Sequence, residues 1–105
     1  MAPIYSQKLV NASYPASQNA VIYTVPASTT VVVTNIDMYY HSNAANSASY
    51  VQIGATNLLY HLTSGTEISN LQWVGKQVLN AGDTITYVTG NETSRLAITG
   101  YVLGP

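Results

Sequence analysis

From Ala20 onward, the hydrophobic residues of this 105-residue chain recur with period two. No stretch of helical length carries a 3.6 period, so the pattern argues for strands. Val21, Tyr23 and Val25 alternate with Ile22 and Thr24 until Pro26-Ala27-Ser28. A turn is expected there, because proline presets the backbone for one and cannot donate to a ladder. The longest strand is predicted over Thr29 to His41, with Val32, Thr34, Ile36, Met38 and Tyr40 on its core face. Val31, Val33, Asn35, Asp37, Tyr39 and His41 form the other face, which starts buried at the valines and emerges further on.

Ser42 to Ala48 is small and polar, a loop by composition. Tyr50 to Ile53 alternates again, with Val51 and Ile53 inward. Gly54 to Asn57 then connects hairpin-fashion to Leu58 to Leu62, where Leu58, Tyr60 and Leu62 share the core face opposite Leu59 and His61. Ser64-Gly65 turns the chain. Ile68, Leu71 and Trp73 follow, and Gly75-Lys76 leads to Val78 and Leu79. In the turn Asn80 to Asp83, Gly82 is the expected positive-φ position. Ile85 and Tyr87 point inward from the next strand, and Gly90 to Thr93 turns again. The last strand, Arg95 to Leu103, has Leu96, Ile98 and Val102 on one face and Ala97, Thr99, Tyr101 and Leu103 on the other. Roughly seven or eight short strands, turned about every eight to twelve residues, predict an all-β, antiparallel, jelly-roll-like sandwich over residues 20–105. Residues 1–19 are weakly patterned and read as an arm with a short strand at Gln7 to Val10. Ile4, Tyr5, Leu9, Val10 and Tyr14 are too apolar for a free tail, so the arm packs on its own domain or on a neighbouring subunit.

Composition narrows the function. Charged residues are 7% of the chain, against about 25% in a typical domain. Ser, Thr, Asn and Gln fill the positions between the hydrophobic ones. Three basic residues, Lys8, Lys76 and Arg95, cannot make the patch that nucleic acid requires. The longest apolar run, Val31 to Val33, is far short of a membrane span, and the first residues do not read as a signal peptide. No cysteine is present, which excludes disulfides and thiolate chemistry and favours folding in a reducing cytoplasm. The sequon matches Asn11-Ala12-Ser13 and Asn91-Glu92-Thr93 are expected by chance in so polar a chain.

Catalysis finds no support. His41 and His61 are the candidates for metal binding or base chemistry, and neither sits in a ligand spacing. No serine lies in a nucleophile-elbow context. Asp37, Glu67, Asp83 and Glu92 suggest no carboxylate pair. No metal and no cofactor are expected. Nine tyrosines are the more telling feature. Tyr23, Tyr40, Tyr60 and Tyr87 fall with core positions, whereas Tyr39, Tyr50, Tyr101 and His61 alternate outward. Such a face suits a protein interface or sugar stacking as well as cross-strand pairing. Trp73 aligns with Leu71 and reads as core. The candidate interface is therefore Ile4, Tyr5, Leu9, Tyr14, Tyr39, Tyr50, His61 and Tyr101.

Three stretches carry a family resemblance: Val21 to Ala27 (VIYTVPA), the Val31 to Ile36 strand, and Val78 to Ile85 (VLNAGDTI) with the closing Ile98 to Tyr101. In this order they resemble small all-β virion proteins of tailed bacteriophages, which serve as capsid decoration, minor capsid or tail-accessory subunits. Where such proteins carry Gly-Lys after "P-A", this chain has Ser28-Thr29, which alters the turn alone. The matched positions are structural, so no functional residue transfers. The resemblance implies a non-enzymatic subunit made in a bacterial cytoplasm and located in the virion. Its partners would be the major capsid protein or other virion proteins, and it would form a homo-oligomer, by analogy a trimer. A tail or baseplate subunit and a carbohydrate-binding sandwich are the alternatives.

Overall fold

The computed structural model describes residues 7–54, 56–90 and 92–104, and the side chains of all of these except 41–47, 62–69 and 92. Six strands follow in order: β1 (Gln7–Tyr14), β2 (Asn19–Thr24), β3 (Thr30–Ile53), β4 (Thr56–Asn80), β5 (Thr84–Val88) and β6 (Glu92–Leu103). All pairings are antiparallel.

The two long strands form one ribbon that belongs to two layers. Over Thr30 to Ser42, β3 pairs with β6 on one side and with Glu67 to Asn80 of β4 on the other. Over Tyr50 to Ile53 it pairs with β5 on one side and with the first part of β4, Thr56 to Tyr60, on the other. The first layer therefore reads β1–β6–β3–β4 and the second β2–β5–β3–β4, with opposite halves of the ribbon in each. Counted by layer there are eight strand segments in two four-stranded sheets, the jelly-roll arrangement. The whole measures 49 × 21 × 19 Å.

The expected loop at Ser42 to Ala48 and turn at Ser64-Gly65 are corrected. Asn43, Ala44 and Ala45 pair with Thr66, Gly65 and Ser64, and the register shifts between Ala45 and Ala48. Small residues allow the ribbon to bend from one layer to the other, and small polar composition alone cannot distinguish that bend from a loop. The segment Gln7–Tyr14, read as part of an arm, is an edge strand of the first layer along its whole length. Val10 is buried in the core, and Leu9 and Tyr14 pack against it. Ile4 and Tyr5 lie outside the described residues.

Bulges set which residues face inward. Thr34 has no partner in the register of β3 with β6, and its hydroxyl donates to the Thr99 carbonyl at 3.2 Å. An extra residue reverses the alternation beyond it. As a result Val31 and Val33 are fully buried together with Ile36, Met38 and Tyr40. Val32 is buried, as expected, at 6% exposure, but it stands apart from that cluster, on the opposite face of β3 between its partners Tyr101 and Val78. Gly100, opposite Val33, makes the bulge possible, because a Cβ there would run into the Val32 carbonyl oxygen. On β4 the matching irregularity falls at Gly75-Lys76, where the Trp73 ring lies over Gly75.

The core between the layers holds Val10, Val25, Val31, Val33, Ile36, Met38, Tyr40, Val51, Leu79, Ile85, Tyr87, Leu96 and Ile98. Each large side chain removed from water contributes about 1.5–3 kcal/mol. Trp73 and Leu71 pack against this cluster, as expected. Gly82 has φ 87° in the turn Asn80 to Asp83. The Asp83 carboxylate there accepts from the Asn80 amide at 2.8 Å, and the Gly82 amide donates to the Val25 carbonyl at 3.1 Å. At the other end, Thr89 joins two turns: its hydroxyl accepts from the Gln18 amide at 2.7 Å and donates to the Pro15 carbonyl at 2.8 Å.

Candidate interaction surfaces

The register places two different outer faces on the two layers. On the second layer, inward Ser49, Val51, Ile85 and Tyr87 leave Tyr50, Gln52, Thr84, Thr86 and Val88 pointing out. Tyr60 lies opposite Tyr50, and their rings stack with centroids 5.7 Å apart and planes 21° apart. Val88 follows Tyr50 on the next strand, and Val21, opposite Thr86, completes the face. Tyr60 is 53% exposed and Val21 56% exposed. None of these residues is charged.

Tyr60 and His61 therefore exchange the roles expected of them. The register shifts between Val51 and Gln52, so Gln52 pairs with Asn57 while Val51 pairs with Leu59. That slip turns Tyr60 out and His61 in. His61 stands opposite buried Ser49, and its ring lies 4.0 Å from that of buried Tyr40. The outward assignment of His61 and the core assignment of Tyr60 are both corrected. A comparable shift between Val21 and Tyr23 exposes Val21 while Tyr23 packs on the core.

The outer face of the first layer is polar at one end and apolar at the other. Arg95, Tyr39 and Asn70 lie in one cross-strand row, and Ala97, Asp37 and Gln72 in the next. The Asn35 amide donates to the Asp37 carboxylate at 2.8 Å, and the Gln72 amide donates to the Asn35 carbonyl oxygen at 3.2 Å. Two open grooves, of about 480 and 470 Å³, share Tyr39 and Arg95 as lining residues. Tyr39 is 43% exposed, as the alternation predicts. Toward the other end, Tyr101, Val32 and Val78 share a row, and Val74 is exposed beyond them.

Tyr14, another expected interface residue, closes one groove but is itself half-buried. Its ring meets Tyr87 edge-on at 5.1 Å, and burial pushes its hydroxyl above the ordinary tyrosine value. The Tyr87 hydroxyl shares a 2.6 Å hydrogen bond with Ser94 beneath it. Of the expected interface, then, Tyr39, Tyr50 and Tyr101 lie on outer faces, although on different layers. Leu9 and Tyr14 pack on the core. Sequence reasoning missed Val21, Tyr60, Val74 and Val78 as outward apolar residues. Gly75 two residues after Trp73 was a readable sign of one of the bulges responsible.

Among the described residues, no group of three or more His, Cys, Asp or Glu could hold a metal ion. The His41 side chain and those of Glu67 and Glu92 lie outside the described set, and Asp83 is engaged in its turn.

No protein-family profile matches the chain, and no curated protein matches it. Among solved structures, a similar chain comes from a Bacillus study titled "Bacillus endospore appendages form a novel family of disulfide-linked pili". The alignment has a TM-score of 0.42 and 14% identity, covering 96% of this chain and 88% of that one. So distant a likeness bears on neither partner nor role.

Proposed function

We propose that this chain is a structural subunit of a bacteriophage virion, a capsid decoration or minor capsid protein without enzymatic activity. The observation that carries the reading is the uncharged outer face of the second layer, built on the Tyr50–Tyr60 pair with Val21 and Val88. The buried centre of a protein interface is depleted in charge and enriched in tyrosine, and this face has that composition. A standard interface takes about 800 Å² from each partner. That is about a seventh of the chain's 5739 Å² surface and within the reach of one four-stranded face. The virion context comes from the sequence resemblance. The partner is the outer surface of the major capsid protein, and copies of this chain group around it, as trimers in the simplest arrangement.

Cryo-electron microscopy of purified particles from the phage or prophage that encodes the chain tests the proposal. Density of this size over the capsid lattice is expected. Particles assembled with Val21→Lys/Tyr60→Lys should lose most of it, because an unpaired charge buried at an interface costs about 3–5 kcal/mol. Density confined to the tail would replace the head assignment with a tail or baseplate role, and particles lacking the chain altogether would overturn the reading.

A further inference from the structure

We propose that the groove across the outer face of the first layer, centred on Tyr39 and Arg95, is a binding site for a neutral saccharide. A sugar presents an apolar C–H face and a rim of hydroxyls that each donate and accept. The groove offers the complement of both. Tyr39 is exposed at its centre, a flat platform of the kind that sugar rings stack on. The guanidinium of Arg95, directly opposite it, has no hydrogen-bond partner among the described residues and so has its full fork of donors available. Asp37 supplies an acceptor: one carboxylate oxygen accepts from Asn35, itself held by Gln72, and the other has no partner among the described residues. Asn11, from the edge strand, lines the same groove.

The hydrogen-bonded chain fixes Asn35, Asp37 and Gln72 in one arrangement before any ligand arrives. Less rotamer freedom is then lost on binding. The groove volume of about 480 Å³ lies in the range of small-ligand sites, roughly 300–1,000 Å³. Its charges, one guanidinium and one carboxylate, offset each other, which selects a neutral sugar over a phosphate, a sulfate or a sialic acid. The Tyr50–Tyr60 face lacks this density of charged and amide groups and belongs to the other layer. The proposal is therefore independent of the docking role, and either can fail alone.

The test is a nuclear magnetic resonance titration of the isolated, isotope-labelled chain. The probes are glucose, galactose, mannose, N-acetylglucosamine and their disaccharides, with sialic acid as the charged comparison. At least one neutral sugar should shift the resonances of Tyr39, Arg95, Asp37 and Asn35 with saturation near about 1 mM, the weak end of specific affinity. Tyr39→Ala should weaken binding at least about tenfold, a change of 1.4 kcal/mol, whereas Tyr39→Phe keeps the ring and most of the affinity. Asp37→Ala should weaken it similarly, and Tyr60→Ala should leave it unchanged. No shifts with any neutral sugar, shifts confined to the Tyr50–Tyr60 face, or a response to sialic acid alone would each overturn the proposal.

Discussion

Replacing Gly100 by alanine tests the packing that orients the whole first layer. A Cβ at this position would overlap the Val32 carbonyl oxygen and lie 3.0 Å from the Val32 carbonyl carbon and 3.1 Å from the Val33 Cα. All three are backbone atoms, so no side-chain rotation relieves the clash. β6 must move away from β3, or the bulge at Thr34 must rearrange. Overpacking of this kind costs about 1–3 kcal/mol. Stretching the flanking ladder bonds adds about 0.5–1.5 kcal/mol for each one lost. Removing a glycine from a strand returns about 0.5–1 kcal/mol. With two ladder bonds lost, the net destabilisation is about 1–5.5 kcal/mol, centred on about 3 kcal/mol. Trp73 is the only tryptophan and packs against the core, so its fluorescence reports unfolding directly. With a urea slope of about 1–3 kcal/mol per molar, the midpoint should fall by about 1–2 M. Gly104→Ala is the control: nothing lies within 4 Å of a Cβ there, and the residue is exposed. If Gly100→Ala matched that control within about 0.5 kcal/mol, the close approach would be wrong. The inward placement of Val31, Val33, Ile36, Met38 and Tyr40 would then lose its cause.

Two further outcomes concern the tyrosines beneath the edge strand. Tyr87→Phe removes the partner of the Ser94 hydroxyl in a buried site and should cost about 1–3 kcal/mol in chemical unfolding; a loss below about 0.5 kcal/mol would show that water replaces the bond. Tyr14→Phe should flatten the alkaline decline of stability. Burial raises the folded-state pKa of Tyr14 above the unfolded value of 10.0, so the folded state holds this proton more tightly. The stability so gained is complete below that unfolded value and is lost as pH rises through the folded one. Melting temperatures measured from about pH 8 to about pH 11 should fall less in the variant, and parallel curves for the two proteins would contradict the assignment.

The strands were readable because their alternation is regular wherever the pairing is regular. Ile85 and Tyr87 on β5, and Leu96 and Ile98 on β6, lie where period two puts them. The turn at Gly82 announced itself through Asn, Gly and Asp. What escaped was the consequence of slips. One extra residue turns every later side chain to the opposite face, and nothing in Thr34, Ile22 or Leu58 marks them as the places where this happens. Tyr60 and His61 exchanged faces for that reason, and with them part of the candidate interface. The bend at Ser42 to Ala48 escaped for a different one: small polar residues are as good at letting a paired ribbon curve as at ending it.

β1 meets β6 with Gln7 opposite Gly100 and Tyr14 opposite Ser94, so residues 7 and 103 lie toward the same end of the sheet. A pull between these two points opens the pair from one end. Its hydrogen bonds break in succession rather than sharing the load, as they would if the strands were drawn past each other in shear. The outer edge of the first layer is thus its mechanically compliant element. Tension transmitted through the segment preceding Gln7 would peel β1 first and uncover Val10, while the continuous β3–β4 ribbon still held the two layers together.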